Sequence, residues 1–251
     1  MWNYLSIDLE SWAMPNIPNF LILSSKEKKR LDAGHAKYST LKILNILKKN
    51  NTKITFFIVG QIYEWYPKLV DMIASEGHEI AYHTHSHDAI GDKESFITSI
   101  EKSKKFIRRF KPVGFRAPRI TIEHRFLQIL KDYGFKYDSS TYGAYSDRRK
   151  IDGIIELPVT SMSGIPVGSG YFLGLLGKKT EWLYKKINQR GAPVISFLHN
   201  WQVLKPAKAI FPNKKYILTH PHYFPYLIDC SPSFSYLIAK FRFIPMKNLI
   251  I

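Results

Sequence analysis

Three histidines stand at alternating positions, His83, His85 and His87, directly after the apolar run Glu79-Ile80-Ala81-Tyr82. Neutral imidazoles suit zinc and other late first-row divalent ions, and a catalytic site commonly takes three protein ligands while leaving a position for water. One histidine at a strand end is ordinarily structural, but three within five residues point to metal binding. Spacing alone leaves open which two bind, because His83/His87, His83/His85 and His85/His87 are all sterically feasible. No Gly-x-Ser-x-Gly nucleophile elbow is present, and Cys230 lies far in sequence from the histidines, so nothing suggests a covalent enzyme intermediate. A second cluster, His220 and His222 in Thr-His-Pro-His-Tyr-Phe, reads as a loop.

The elements that must position these residues alternate along the whole chain. Apolar β-rich runs are expected at Tyr4 to Asp8, Lys53 to Val59, Glu79 to Tyr82, Gly114 to Arg116, Ile155 to Pro158, Val194 to Leu198 and Phe243 to Pro245. Between them the spacing predicts amphipathic helices at Ser39 to Lys49, Pro67 to Ser75, Glu94 to Phe110, His124 to Tyr133 and Thr180 to Asn188. Such alternation marks an α/β fold. With 251 residues and no repeat or Gly/Ser linker, one domain spanning 1–251 is expected, of a size usual for a (β/α) barrel. The stretch Ser11 to His35 reads as a long loop over the face where the first strand ends, where loops usually build sites.

The chain carries 37 Lys+Arg against 20 Asp+Glu, a net charge of +17. Its lysines fall in short clusters rather than one tract. This reads as a solvated basic face, with an anionic membrane or a lipid-linked substrate as the next partner to consider. No nucleic-acid partner is expected, since no helix-turn-helix, finger or RNA-recognition signature appears. The single Cys230 forms no internal disulfide and reads as a buried apolar residue. No signal-peptide pattern opens the sequence and no run of about 18 apolar residues occurs, so a cytoplasmic location, peripheral to the membrane if anywhere near it, is expected.

Five segments resemble the motifs of the NodB-like polysaccharide deacetylases, carbohydrate esterase family four, and the resemblance covers nearly the whole chain. Gly77-His78-Glu79-Ile80 leading into His83-Thr84-His85-Ser86-His87 is similar to the family's His-(Ser/Thr)-x-x-His motif, which implies His83 and His87 as metal ligands. Ser6-Ile7-Asp8-Leu9-Glu10 departs from the usual Thr-Phe-Asp-Asp-Gly by spacing its acids at i and i+2, as in the branch with Asp-x-Asp or Asp-x-Glu. Residues i and i+2 of a strand share a face, so both can reach a metal at the strand's end. The resemblance implies Asp8 as general base and Glu10 as the third ligand, with the exchange of those two roles as the alternative.

Phe115-Arg116-Ala117-Pro118-Arg119 resembles the third motif and implies that Arg116 pairs with the base, with Pro118 beside the substrate. Tyr137-Asp138-Ser139-Ser140 resembles the fourth, whose Asp contacts the catalytic histidine, and Leu198-His199 resembles the fifth. His199 is then the general acid, partnered by Asp138. The fold implied is a distorted or incomplete (β/α) barrel of about seven strands. The activity implied is hydrolysis of an N-acetylated amino sugar with a divalent ion, zinc first and cobalt, nickel or manganese as alternatives. In it Asp8 takes the proton of the attacking water and His199 gives one to the departing amine.

Among the aromatics, Trp12, Trp65, Tyr142, Tyr171 and Trp201 are candidates to stack on sugar rings, with Trp201 first because it follows His199 by two residues. Two rival readings are a metallohydrolase of phosphoesterase or amidohydrolase type, which also uses His-x-His, and an inactive carbohydrate-binding barrel. The former places its histidine pair on the first strand; the latter would lack a base, an acid or a ligand.

Overall fold

Alternation along the strands divides the molecule into two apolar layers. In β1 (Trp2–Leu9) the residues Leu5, Ile7 and Leu9 join a large outer cluster with Ile43, Leu44 and Leu47, while Tyr4 belongs to a separate inner cluster with Phe57, Ala81, Tyr137, Ile195 and Met246. The period of two makes this partition automatic: one face packs against helices, the other fills the barrel. Ser6, Asp8 and then Glu10 continue the inner face. The computed structural model describes residues 1–14, 18–206, 218–220 and 228–250.

β1 is central. It pairs in parallel with β2 (Thr55–Ile58), which is followed across the sheet by β3 (Glu79–Tyr82), β4 (Gly114–Phe115), β5 (Tyr137–Asp138) and β8 (Ile154–Glu156), while β6 (Tyr142–Gly143) and β9 (Val159–Thr160) form a separate two-stranded sheet. β10 (Ile195–His199) pairs with the other edge of β1, and β11 (Arg242–Ile244) pairs with its beginning, through Trp2 to Tyr4. β7 (Arg149–Ile151) adds antiparallel to β8. Asp152 and Gly153, both at positive φ, form the two-residue turn that such a hairpin needs.

Among the described residues the ladder does not close. Between β8 and β10 the wall is completed by β9 and the chain after it: Ile195 N–H donates to Thr160 Oγ1 at 2.8 Å and Phe197 N–H to Gly168 O at 2.9 Å. The expected barrel is therefore present in distorted form. β5 was not among the expected strands; two residues between turn-forming neighbours carry no readable periodicity, and only the ladder to β4 and β8 makes them a strand.

Helices cover the outside. After α1 (Pro18–Leu21) come α2 (Ser25–Asp32), α3 (His35–Lys49), α4 (Gly60–Trp65) and α5 (Pro67–Ser75). The stretch expected as a loop from Ser11 to His35 thus contains helix. The signal was available: Ser24 accepts from Glu27 N–H while Glu27 bonds back to Ser24 N–H, a capping box. The helix expected over Glu94 to Phe110 is divided at Ser103 into α6 (Lys93–Lys102) and α7 (Lys104–Phe110). The remaining helices among the described residues are α8 (Leu127–Asp132), α9 (Gly170–Leu176), α10 (Thr180–Gln189), α11 (Asn200–Val203) and α12 (Ser231–Lys240).

The barrel's lower end is sealed by the C-terminal segment. Met246 N–H donates to Thr55 Oγ1 at 2.8 Å, Lys247 N–H to Glu79 Oε2 at 2.9 Å, and Tyr137 Oη–H to Glu79 Oε1 at 3.0 Å. The opposite end, where the parallel strands deliver their C-termini, is left for chemistry.

Candidate active site

Glu10 follows β1 directly and is held from two sides. Trp201 Nε1–H donates to its Oε1 at 3.0 Å, and its own N–H donates to Asn200 Oδ1 at 3.1 Å. Its Oε2 lies 2.7 Å from His87 Nε2, outside hydrogen-bond geometry, and has no hydrogen bond of its own. His199 Nε2 is 3.6 Å from Oε1. Burial pushes the Glu10 pKa up, but the charges of His87 and His199 outweigh it and bring it down to about 2.

His83 ends the segment after β3. Its Nδ1 lies 2.7 Å from Arg116 O, a carbonyl that can only accept, so Nδ1 carries the proton and Nε2 keeps its lone pair. Burial lowers its pKa to about 4, so the ring is neutral as a ligand must be. The chain then turns back through Thr84 and His87, both at positive φ where non-glycine residues are strained. Gly60 N–H and Gln61 N–H, at the start of α4, hold this loop by donating to Thr84 O at 2.9 Å and His85 O at 2.8 Å. A side chain at position 60 would collide with Ser103 Oγ and His85 Nδ1, so glycine lets the helix approach. The result brings Glu10, His83 and His87, all buried, to within 4.8 Å of one another by their ligand atoms. The buried Glu10 Oε2, without a hydrogen bond, is the kind of orphaned atom that a cation site explains. The donor set of two imidazoles and a carboxylate fits zinc or a similar divalent ion.

His85 turns the other way. Its N–H donates to Ser99 Oγ at 2.9 Å and its Nδ1 meets Ser103 Oγ at 3.0 Å, on the helical layer rather than toward Glu10. Three alternating histidines therefore split, because backbone reversal at Thr84 and His87 breaks the simple strand periodicity.

Asp8 lies beside this triad and meets Arg116. The guanidinium is fully buried: Nη1 donates to Asp8 Oδ1 and to Ser6 Oγ at 2.7 Å each, Nε to Ser139 O at 3.0 Å, and Nη2 to Ser139 Oγ at 2.9 Å. The Phe57 ring lies 4.1 Å from its centre. This fork fixes the Asp8 carboxylate in place.

Two expected contacts are different in the structure. Asp138 does not reach His199. Its oxygens accept from Ser140 N–H at 3.0 Å and Ser140 Oγ at 2.5 Å, and it bonds Glu156, its register partner across β5 and β8. Burial, then the Glu156 charge, push the Asp138 pKa well above the carboxylate range. His199 instead faces Gln202, whose Oε1 accepts from His199 N–H at 2.9 Å and lies 3.2 Å from its Nδ1. Gln202 Nε2 donates to Gly170 O, which orients the amide and assigns the proton to His199 Nδ1.

Trp201 is the second difference. It is buried, stacks on His199 with centroids 4.6 Å apart, and spends its N–H on Glu10, so it braces these two side chains and does not present an open ring. Trp12 and Trp65 are buried too, the latter donating to Ser25 Oγ. Tyr171 packs edge-on against Phe172. Tyr142 remains as an exposed ring, and its hydroxyl senses the charges of Arg116 and Asp8, although burial is the main cause that raises its pKa to about 12. Pro118 is buried at the start of the turn that follows Arg116. His220 bonds Thr219 Oγ1 at 2.9 Å, and His222 lies outside the described residues. Asn200, Gln202 and Glu156 went unread in the sequence; the pattern Ser6, Asp8, Glu10 on one face was the signal for Ser6.

Known proteins are similar in sequence over part of the chain and in fold over most of it. The sequence model of the family described as polysaccharide deacetylase matches residues 31–137. A peptidoglycan-N-acetylglucosamine deacetylase of Bacillus cereus is 37% identical over 84 residues, which are 32% of this chain and 30% of that protein, so the match spans about a third of the relative's length. Among solved structures, a polysaccharide deacetylase from Mycobacterium smegmatis superposes with a TM-score of 0.59 at 20% identity, covering 91% of this chain and 86% of that one. An allantoinase shares the fold with a TM-score of 0.62 at 15% identity, over 98% of this chain and 88% of that one. Residues 31–137 thus match the polysaccharide deacetylase family, and the barrel as a whole shares its fold with a family 4 carbohydrate esterase from Streptomyces lividans.

Proposed function

We propose that this protein removes the acetyl group from an N-acetylated amino sugar in a glycan, a glycan precursor or a lipid-linked glycan. The observation that carries the proposal is one arrangement: the Glu10, His83, His87 ligand group with Arg116-held Asp8 beside it and His199 3.6 Å from Glu10. Glu10, His83 and His87 would hold a divalent ion, zinc by preference, with cobalt, nickel or manganese able to use the same donors. When bound, such an ion supplies Lewis acidity toward an acyl oxygen and makes water more acidic.

The chain's own residues do the rest. Asp8, kept in position by Arg116 and Ser6, is the base that takes a proton from the attacking water. His199, with Nδ1–H committed to Gln202 Oε1, presents Nε2 toward the site and hands a proton to the departing amine. Tyr142 offers the open aromatic face for a sugar ring.

The test is direct. Purified protein loaded with zinc is assayed for free-amine release from N-acetylglucosamine oligomers and N-acetylated lipid-linked sugars, and in parallel for phosphate release from model phosphoesters. Amine release that is abolished by Asp8→Asn supports the proposal. Phosphate release without amine release overturns it.

A further inference from the structure

One lateral surface combines exposed apolar side chains with a ring of cations, and the active site makes no use of it. Leu175 on α9 is 52% exposed and Trp182 on α10 is 61% exposed. Leu176, Trp182 and Tyr236 of α12 line a shallow groove of about 720 Å³ together with Lys178, Lys179 and Lys185. Soluble proteins seldom leave a tryptophan this open without a partner.

The cations are arranged around the rings. Lys186 Nζ sits 4.9 Å from the Trp182 ring centre, and Lys178 and Lys240 approach the Tyr236 ring at 5.5 and 5.7 Å. The groove's acidic residue, Glu181, is neutralised locally by Lys185 at 2.7 Å and accepts a hydrogen bond from the Tyr236 hydroxyl. Lys178, Lys179, Lys185, Lys186 and Lys240 thus outnumber the one acid by five to one, on a chain whose net charge is +17. Among the described residues no helix is long and apolar enough to cross a membrane.

We infer that this face docks the protein on the surface of an anionic lipid bilayer. An indole with a polar N–H and an apolar body prefers the headgroup boundary, leucine inserts just beneath it, and lysines extend their stems along the apolar surface toward lipid phosphates. Charge complementarity selects this occupant: an acidic surface is required, and the open Trp182 and Leu175 require that surface to have an apolar layer within reach. A polyanion such as nucleic acid would satisfy the lysines and leave Leu175 in water. The inference is independent of the deacetylase reading, because the measurement is binding.

The full chain is sedimented with vesicles of phosphatidylcholine alone and of phosphatidylcholine with phosphatidylglycerol. Binding is expected only to the anionic vesicles, and to weaken between 50 and 300 mM salt. Each lysine near such a surface contributes about five-fold in partition, so Lys178→Gln with Lys179→Gln lowers it on the order of 25-fold. Trp182→Ala lowers it on the order of ten-fold. In wild type, brominated lipids quench tryptophan emission, and Trp182→Phe removes most of that quenching; Trp2, the other exposed tryptophan, is the control. Circular dichroism shows that these surface variants stay folded. Equal partition of wild type and both variants, or retention by single-stranded DNA with none by vesicles, overturns the inference.

Discussion

Two pairs of buried acids face the inside of the same barrel and are neutralised in opposite ways. Asp8 and Glu10, at the end of β1, are 2% and 1% exposed; Asp138 and Glu156, on β5 and β8, are 0% and 4% exposed. On the β1 side Asp8 is met by the Arg116 guanidinium, and Glu10 lies against the His87 imidazole. On the β5–β8 side Asp138 keeps its proton and bonds to Glu156, Ser140 and the neighbouring strand end. Equal burial gives no equal chemistry. A carboxylate matched by a cation keeps lone pairs available for a metal or a proton, whereas a carboxyl sharing a proton with its neighbour fastens two strands.

The comparison predicts unequal responses to mutation. Arg116→Met should have the largest effect, because it strands a buried carboxylate: about 3–5 kcal/mol of stability is lost in urea denaturation, and Arg116→Met with Asp8→Asn recovers part of it. A loss below about 1 kcal/mol would mean that the pair is not the charge balance described. Glu10→Ala comes next. Bound zinc, measured by elemental analysis after dialysis, should fall by at least about 100-fold in affinity, since one of the three ligands is gone; undiminished zinc content would remove Glu10 from the site.

A buried base without a countercharge sharpens the contrast. His78 accepts from Ile54 N–H at its Nδ1, and burial, helped by Lys53, lowers its pKa to about 4. Its folded pKa is depressed below the unfolded value near 6.5, so between these values only the unfolded chain binds the proton. The stability it contributes is present above pH 6.5 and is lost as pH falls toward 4, by at most about 1 kcal/mol per pH unit. His78→Asn, which keeps an acceptor for Ile54, should flatten that slope in denaturation curves taken at pH 7, 6 and 5.

The smallest change is expected for Asp138→Asn. The amide reproduces the donor and acceptor of a protonated carboxyl, so stability at pH 7 should shift by less than about 1 kcal/mol. The sign favours the variant. The raised folded pKa of Asp138 means that its stability contribution is present below the unfolded pKa and declines as pH rises, and asparagine has no such decline. A large loss at neutral pH would show that Asp138 is charged in the folded protein and would dissolve the contrast with Asp8.

Much of the site was legible before any coordinates. Strand-end histidines, an acidic first strand and a strand-end arginine are local patterns, and β3 and the helix Pro67–Ser75 fall where hydrophobic period and proline predicted them. The choice of His83 and His87 over His85 came from motif resemblance; in the structure those two lie within 4.8 Å of Glu10 by their ligand atoms, and His85 turns to Ser103. The capping box at Ser24 is also a local pattern of the sequence.

What only the tertiary structure decided is which side chains meet across long separations. Asp138 was expected at His199, but the strand order sets β5 next to β8, and register alignment puts Asp138 opposite Glu156. Trp201 looked like a sugar platform from its place after His199; packing turned it inward, 191 residues in sequence from the Glu10 it holds. The reason is physical. Residue type and short-range periodicity determine what a side chain is able to do and which face of its own element it occupies, and these the sequence states directly. Neighbours across the barrel follow from strand order and register, which are set by the packing of the whole chain, and they decide whether a buried acid is a base, a ligand or a rivet.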